Sequence, residues 1–239
     1  IPSESDSLDP KTLKCLCEAE YPEDKIEIIL AIGKHPSVQR NEAVKTARGD
    51  ILYFFNRDGR IEPDIFRKVV DIINSRFDIA GTGGPDSTPP DNNYIQHLFG
   101  YAMGSYFAHW KMRARYSRVG TQRISDEKEL LLSNMAIRKD VFLKSSCFNE
   151  KLYPNEENEL INRIYKAGYK FIYSPELKIY RDRRKTLPAF IKQFYRYGQG
   201  RMTQIFTEGA FKNLQFFAPL LLLMYFLTLP FINDFQIKF

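Results

Sequence analysis

Three stretches of this 239-residue chain hold residue types that could do chemistry. The first is Asn56-Arg57-Asp58, set directly after the continuous apolar run Ile51 to Phe55. Side chains alternate along an extended chain, so Asn56 and Asp58 are expected on one side and Arg57 on the other. Two oxygen-bearing side chains at a strand end suit a hard divalent cation that holds a diphosphate. The second stretch is Asn155-Glu156-Glu157-Asn158-Glu159, with three acids in four positions. Their repulsion tends to raise at least one carboxylate pKa, and a raised carboxylate suits a general base. Charge compensation of a helix N-terminus explains the same acids without catalysis. The third runs from Lys178 to Arg201, where eight Lys or Arg stand against one acid, Asp182, a balance of +7. The whole chain carries +6, so the remainder sums to −1. That argues for one local basic surface and against a generally basic nucleic-acid coat.

The elements that must position these residues follow from periodicity. Ile51 to Phe55 reads as a doubly buried parallel strand ending at a polar rim, the place where ligands bind in open α/β sheets. Ahead of it, Ile1-Pro2 reads as the tail of a first strand that begins upstream. Asp9-Pro10 starts a helix to about Glu20, and Ile26 to Ala31 reads as a buried strand. Ser37 is expected to cap a helix to about Arg48 that leaves Arg40 and Asn41 off its apolar positions. A helix from Pro63 to about Asn74 and a short strand from Ile79 follow, and this β-α-β-α-β order predicts a parallel sheet.

Gly83-Gly84-Pro85 with Thr88-Pro89-Pro90 reads as a rigid, exposed loop, its glycines too few and wrongly spaced for a P-loop or a dinucleotide fingerprint. An aromatic-rich helix from Asn92 to about Arg113, with a break expected near Gly100 or Gly104, carries His97, His109 and Trp110. Twelve residues separate the histidines and no acid joins them, which argues against a two-His metal site. Asn155 is expected to cap a helix that buries Leu160, Ile161 and Ile164 and stops at Gly168. Strands at Lys170 to Tyr173 and Leu177 to Tyr180 precede an amphipathic helix after Leu187-Pro188.

In order and motif the chain resembles the family 2 glycosyltransferases of the GT-A fold. Their Ala, Gly-Asp, apolar strand, Asp-x-Asp and Pro have counterparts in Ala47, Gly49-Asp50, Ile51 to Phe55, Asn56-Arg57-Asp58 and Pro63. The resemblance implies an α/β nucleotide-diphospho-sugar transferase fold over 1–184, its central sheet mostly parallel and flanked by helices. It implies a nucleotide-diphospho-sugar donor, with Mg²⁺ or Mn²⁺ held by Asp58 and Asn56, the latter in place of the usual first Asp. Donor contacts are implied for Pro2, Arg40, Asn41, Asn56, Asp58, Gln193 and Arg196. Gln193, Arg196 and Tyr197 resemble the Gln-x-x-Arg-Trp motif of membrane-associated members, which puts Tyr197 near the acceptor. Trp110 is a second candidate for stacking on a sugar. Glu156-Glu157 resembles the family's Glu-Asp motif, whose second acid deprotonates the acceptor hydroxyl, so Glu157 is the expected base and Glu156 the other candidate. Where the family has a base-reading Asp after the second strand, this chain has Ala31-Ile32-Gly33.

The helix at 185–208 is expected to lie at a membrane interface, and 213–233 to be a transmembrane or re-entrant segment, since Phe216 to Ile232 carries no charge. Pro219 and Pro230 would kink it, and the basic flank before it places the preceding domain in the cytoplasm. Cys15, Cys17 and Cys147 form no metal or disulfide pattern and read as reduced core thiols. The expectation is an inverting transferase at the cytoplasmic face of the cell membrane. Its acceptor is a lipid-linked or other saccharide, and it works alone, as a homo-oligomer or within a polysaccharide assembly, with no nucleic-acid partner. The alternative is a catalytically impaired subunit of the same fold that serves such an assembly as a binding or scaffold component.

Overall fold

The aromatic run at 51–55 forms a strand, and its alternation divides the core. In the computed structural model, which describes residues 1–208 and 224–229, Leu52 and Phe54 face one apolar cluster and Phe55 another. Ile51 and Tyr53 pack on the second cluster, as a two-residue period requires.

The first half of the chain contains β1 (Pro2–Ser3), α1 (Pro10–Cys17), β2 (Ala31–Ile32), α2 (Pro36–Thr46), β3 (Ile51–Phe55) and β4 (Gly59–Ile61). Next come α3 (Ile65–Asn74), β5 (Ile79–Gly83), β6 (Asp86–Ser87), α4 (Tyr94–Gly104), α5 (Tyr106–His109) and β7 (Arg123–Ser125). The remainder is β8 (Asn134–Arg138), α6 (Lys139–Lys144), α7 (Glu156–Lys166), β9 (Lys170–Tyr173), β10 (Ile179–Arg181) and α8 (Leu187–Glu208).

The central sheet has the order β3-β8-β5-β9-β7. It is mixed rather than mostly parallel: β8 runs antiparallel between β3 and β5, β7 runs antiparallel to β9, and β5 and β9 are parallel. The expectation of a parallel sheet missed β8, whose Met135, Ala136 and Ile137 are fully buried between a polar Asn134 and Arg138. A second sheet, β4-β10-β6, and a two-stranded parallel pair, β1-β2, complete the strands. The expected buried strand at 26–31 shrinks to Ala31–Ile32, because β2 has only the short β1 beside it and residues 26–30 remain exposed or half-buried.

The 83–90 segment is not an exposed loop. Gly83 to Asp86 are buried, and β6 pairs with β10. A side chain at Gly84 would collide with the backbone carbonyls of Ser174 and Leu177. The aromatic helix does break after Gly104, giving α4, α5 and a 3-10 turn at Trp110–Arg115. The cysteines are free thiols; Cys15 and Cys147 are half-buried and pack against the two apolar clusters, whereas Cys17 is exposed and is not a core residue.

The chain divides into one unit over Ile1–Gly200 and another over Arg201–Phe239. Of the segment 213–233, only a short helical stretch at 224–229 lies within the described residues. Among the described residues, no helix is long and apolar enough to cross a membrane.

Candidate active site

The strand alternation that would put Asn56 and Asp58 on one side ends at Phe55. Residues 57–58 form a turn, closed by the Gly59 N–H donating to Asn56 O at 3.1 Å. Thr12 on α1 anchors this turn through its hydroxyl, which donates to Arg57 O and Gly59 O. The chain then enters β4, which pairs antiparallel with β10 so that Gly59 faces Arg181. Asp58 is thereby carried to Arg181, whose Nε lies 3.1 and 3.2 Å from the two carboxylate oxygens.

β10 has β6 on its other edge, and that brings in a carboxylate absent from the sequence reading. Asp86 is almost completely buried, with Oδ1 3.4 Å from Arg183 Nη1 and Oδ2 4.0 Å from Arg181 Nη1. Ser133 Oγ donates to it at 3.3 Å. Burial pushes the Asp86 carboxyl above its usual range, against the pull of Arg183 and Arg181. Burial alone would lower the Arg181 pKa, but Asp58 and Asp86 more than offset this and hold the guanidinium protonated. Arg183 is locked by further bonds to Thr88 Oγ1 at 3.0 Å and to the Asp86 carbonyl. Lys178 pairs with Glu62 at 2.7 Å. The basic run from Lys178 thus turns several of its cations inward, and the local basic surface is thinner than its sequence count.

The three acids of α7 separate in function. Glu159 takes the i, i+4 partner Arg163 at 2.6 Å. Glu156 accepts from Arg40 Nη1 at 2.9 Å, with both side chains buried. Glu157 is also buried, and among the described residues its carboxylate makes no hydrogen bond or ion pair. Desolvation first, and the Glu157 charge second, push the Glu156 carboxyl up to about 7, with Arg40 opposing. The raised carboxylate of the cluster is Glu156, and burial, which the sequence reading did not weigh, contributes more than repulsion between the acids. Asn155 occupies the N-cap position, but its side-chain oxygen accepts from Asn158 Nδ2 rather than capping the backbone.

α8 closes this region from above the first turn of α7. A side chain at Gly200 would press on Pro154 at 3.1 Å, so the small residue permits the approach. Gln193 accepts from Arg184 Nε at 2.8 Å and donates to the Tyr197 hydroxyl at 2.9 Å. Tyr197 lies near enough to Arg181 for the two groups to interact electrostatically. Tyr153, a residue the sequence did not single out, feels Glu156, Arg40, Tyr197 and Arg196 together.

Asn41 stands apart from this cluster. Its amide donates to Phe148 O and Glu150 Oε1 and accepts from Phe148 N, each at 3.0 Å, so it fastens the 148–150 loop. Pro2 pairs with Ala31 at the β1-β2 edge, where Gln39 donates to Ser3 O at 2.8 Å and to Ala31 O. Trp110 is half-exposed beyond α5, with Lys111 Nζ 5.9 Å from its ring centre.

As a divalent-cation site, Asn56 and Asp58 do not fit as they stand. Asp58 faces a guanidinium with both oxygens, and Asn56 adds no charge. Among the described residues no group of three or more His, Cys, Asp or Glu side chains converges for a metal.

Residues 51–235 match the family described as glycosyl transferase family group 2. The chain belongs to that family. Its α/β fold is GT-A-like, and similar solved structures include the mannosyltransferase PcManGT from Pyrobaculum calidifontis in complex with GDP-Man and Mn²⁺. That likeness has 14% identity and a TM-score of 0.58, and covers 85% of this chain and 62% of that one. A fragment of S. aureus TarS in complex with UDP-GlcNAc gives 13% identity, a TM-score of 0.55, and coverage of 77% and 58%. The same fragment with UDP gives 12%, 0.53, 75% and 58%. This glycosyl transferase family member thus spans about three-fifths of the length of the solved chains it resembles. No curated protein matches it.

Proposed function

We propose that this family member is an inverting glycosyltransferase. It moves a sugar from a nucleotide-diphospho-sugar to a hydroxyl of a lipid-linked saccharide at the cytoplasmic face of a membrane. The observation that carries the reading is the meeting of Glu156 and Glu157 with Arg40 at the first turn of α7. Glu157, whose carboxylate makes no hydrogen bond or ion pair among the described residues, lies close enough to Arg40 to interact with its charge, and a base beside a cation is what displacement of a diphosphate requires.

In this mechanism Glu157 removes the acceptor proton as the hydroxyl oxygen attacks the anomeric carbon. The bond to the diphosphate breaks on the opposite face, and charge developing on the leaving phosphate is stabilised by the guanidinium groups of Arg40 and Arg196. Glu156 positions Arg40. Tyr197 and Trp110 are assigned to the acceptor side, and Gln193 orients Tyr197. Mn²⁺ accompanies GDP-Man in the Pyrobaculum structure; no step here depends on a metal.

Support for the membrane comes from α4, α5 and α8. Phe99 of α4 stacks on Phe190 of α8 with centroids 4.1 Å apart, so these helices form one layer. That layer leaves Tyr94, Tyr101, Phe107, Trp110, Ile191 and Tyr195 exposed. Aromatic and aliphatic groups in such numbers, with Lys111 and Arg113 adjoining, suit a lipid headgroup boundary.

The direct test incubates the intact chain in lipid nanodiscs with UDP- and GDP-sugars and follows release of the nucleoside diphosphate. Release that disappears in Glu157→Gln supports the transferase. Nucleotide binding without release or transfer, whatever the saccharide acceptor, favours the non-catalytic subunit.

A further inference from the structure

We propose that this chain holds the donor diphosphate with the guanidinium groups of Arg181 and Arg40, without a divalent cation. The inference rests on the transferase reading and concerns how the same site neutralises the phosphates. A Mg²⁺ or Mn²⁺ site needs several oxygen ligands, carboxylates foremost. Asp58 is the charged candidate at the β3 end, and Arg181 Nε already faces both its oxygens at 3.1 and 3.2 Å. The neighbouring position is an amide, Asn56. A second carboxylate, Asp86, is buried behind Arg181 and held by Arg183 and Ser133. The cation next to Asp58 is therefore a side chain of the protein itself.

The arginines also have donors to spare. Among the described residues Arg181 Nη2 has no acceptor, since Nε faces Asp58 and Nη1 faces Asp86 at 4.0 Å. Arg40 is more than nine-tenths buried, donates from Nη1 to Glu156, and has its Nε without a hydrogen-bond partner. A buried N–H left unpaired is unfavourable, and a phosphate oxygen would satisfy it. The charge of Arg181 also acts against that of Arg40, and an anion shared by the two groups would relieve that repulsion. Planar guanidinium groups match phosphate oxygens with paired, directional bonds, which a compact ammonium does not.

The test is calorimetric titration of the intact chain in nanodiscs with UDP, GDP, ADP and CDP, in excess EDTA and then in Mn²⁺. Arg181→Ala, Arg181→Lys and Asp58→Asn are run beside it, each checked for folding by circular dichroism. Expected is binding of one nucleotide with the same Kd in EDTA as in Mn²⁺. Arg181→Ala should weaken it about tenfold or more, and Arg181→Lys should recover part of that loss. Asp58→Asn should bind in EDTA at least as well as the parent, because it releases Arg181. Binding that needs Mn²⁺ and vanishes in Asp58→Asn would overturn the inference and leave the transferase reading standing. Absence of binding to folded protein in both conditions would overturn both.

Discussion

Arg40 Nη1 donates to Glu156 Oε1 at 2.9 Å, and both side chains are more than nine-tenths buried. Removing one member of such a pair strands the other in a medium that solvates it poorly. Arg40→Met should destabilise the chain by about 3–5 kcal/mol. Adding Glu156→Leu to that variant should recover much of the loss. Urea unfolding midpoints of the parent, both single variants and the double variant would measure the coupling.

Stability should fall as pH rises through the Glu156 transition. An acid whose folded pKa lies near 7, against an ordinary 4.5, binds more protons in the folded state between those values. By linkage, stability then decreases with rising pH across that window; the penalty is absent below it and complete above it. The shift corresponds to about 3 kcal/mol. Comparing the pH dependence of unfolding in the parent and in Glu156→Gln isolates this contribution, and equal slopes between about pH 5 and 7 would count against it.

Glu157→Gln should leave nucleotide affinity unchanged and cut turnover by about 10²–10⁴-fold, the usual contribution of a general base. Parallel measurement of kcat and nucleotide Kd separates this from a binding defect. A comparable loss of affinity would show that Glu157 serves the donor rather than the acceptor proton.

Charge placed on the α4-α5-α8 layer should release the chain from lipid. Phe107→Asp and Ile191→Asp each remove an exposed apolar side chain, worth about 1.5–3 kcal/mol if buried in lipid, or about tenfold or more in partition. Co-sedimentation with anionic vesicles reads the change, and nucleotide binding should stay constant. Unaltered sedimentation of both variants would count against membrane attachment through this face.

Much of the site was legible as residue types. Asp58 of the polar rim after Phe55 meets Arg181, and Glu156 of the acids opening α7 meets Arg40 of α2. Two participants were hidden for identifiable reasons. Asp86 follows two glycines and a proline, a pattern that reads as an exposed turn, yet β6 is buried against β10. Arg181 lay within a basic run and looked like one surface cation among eight. Its inward direction depends on two acids distant in sequence, Asp58 in the turn before β4 and Asp86 on β6.

By itself the sequence determined the strand at 51–55, the helix pattern around it and the presence of both charged motifs, because periodicity and motif spacing are local properties of the chain. Tertiary structure alone decided which acid meets which cation. Asp58 and Arg181 are 123 residues apart, and Arg40 and Glu156 are 116 apart. No local rule relates such positions. The antiparallel register of β4 with β10 and the seating of α7 beside α2 do so, and they bring Glu156 rather than Glu157 into the ion pair with Arg40.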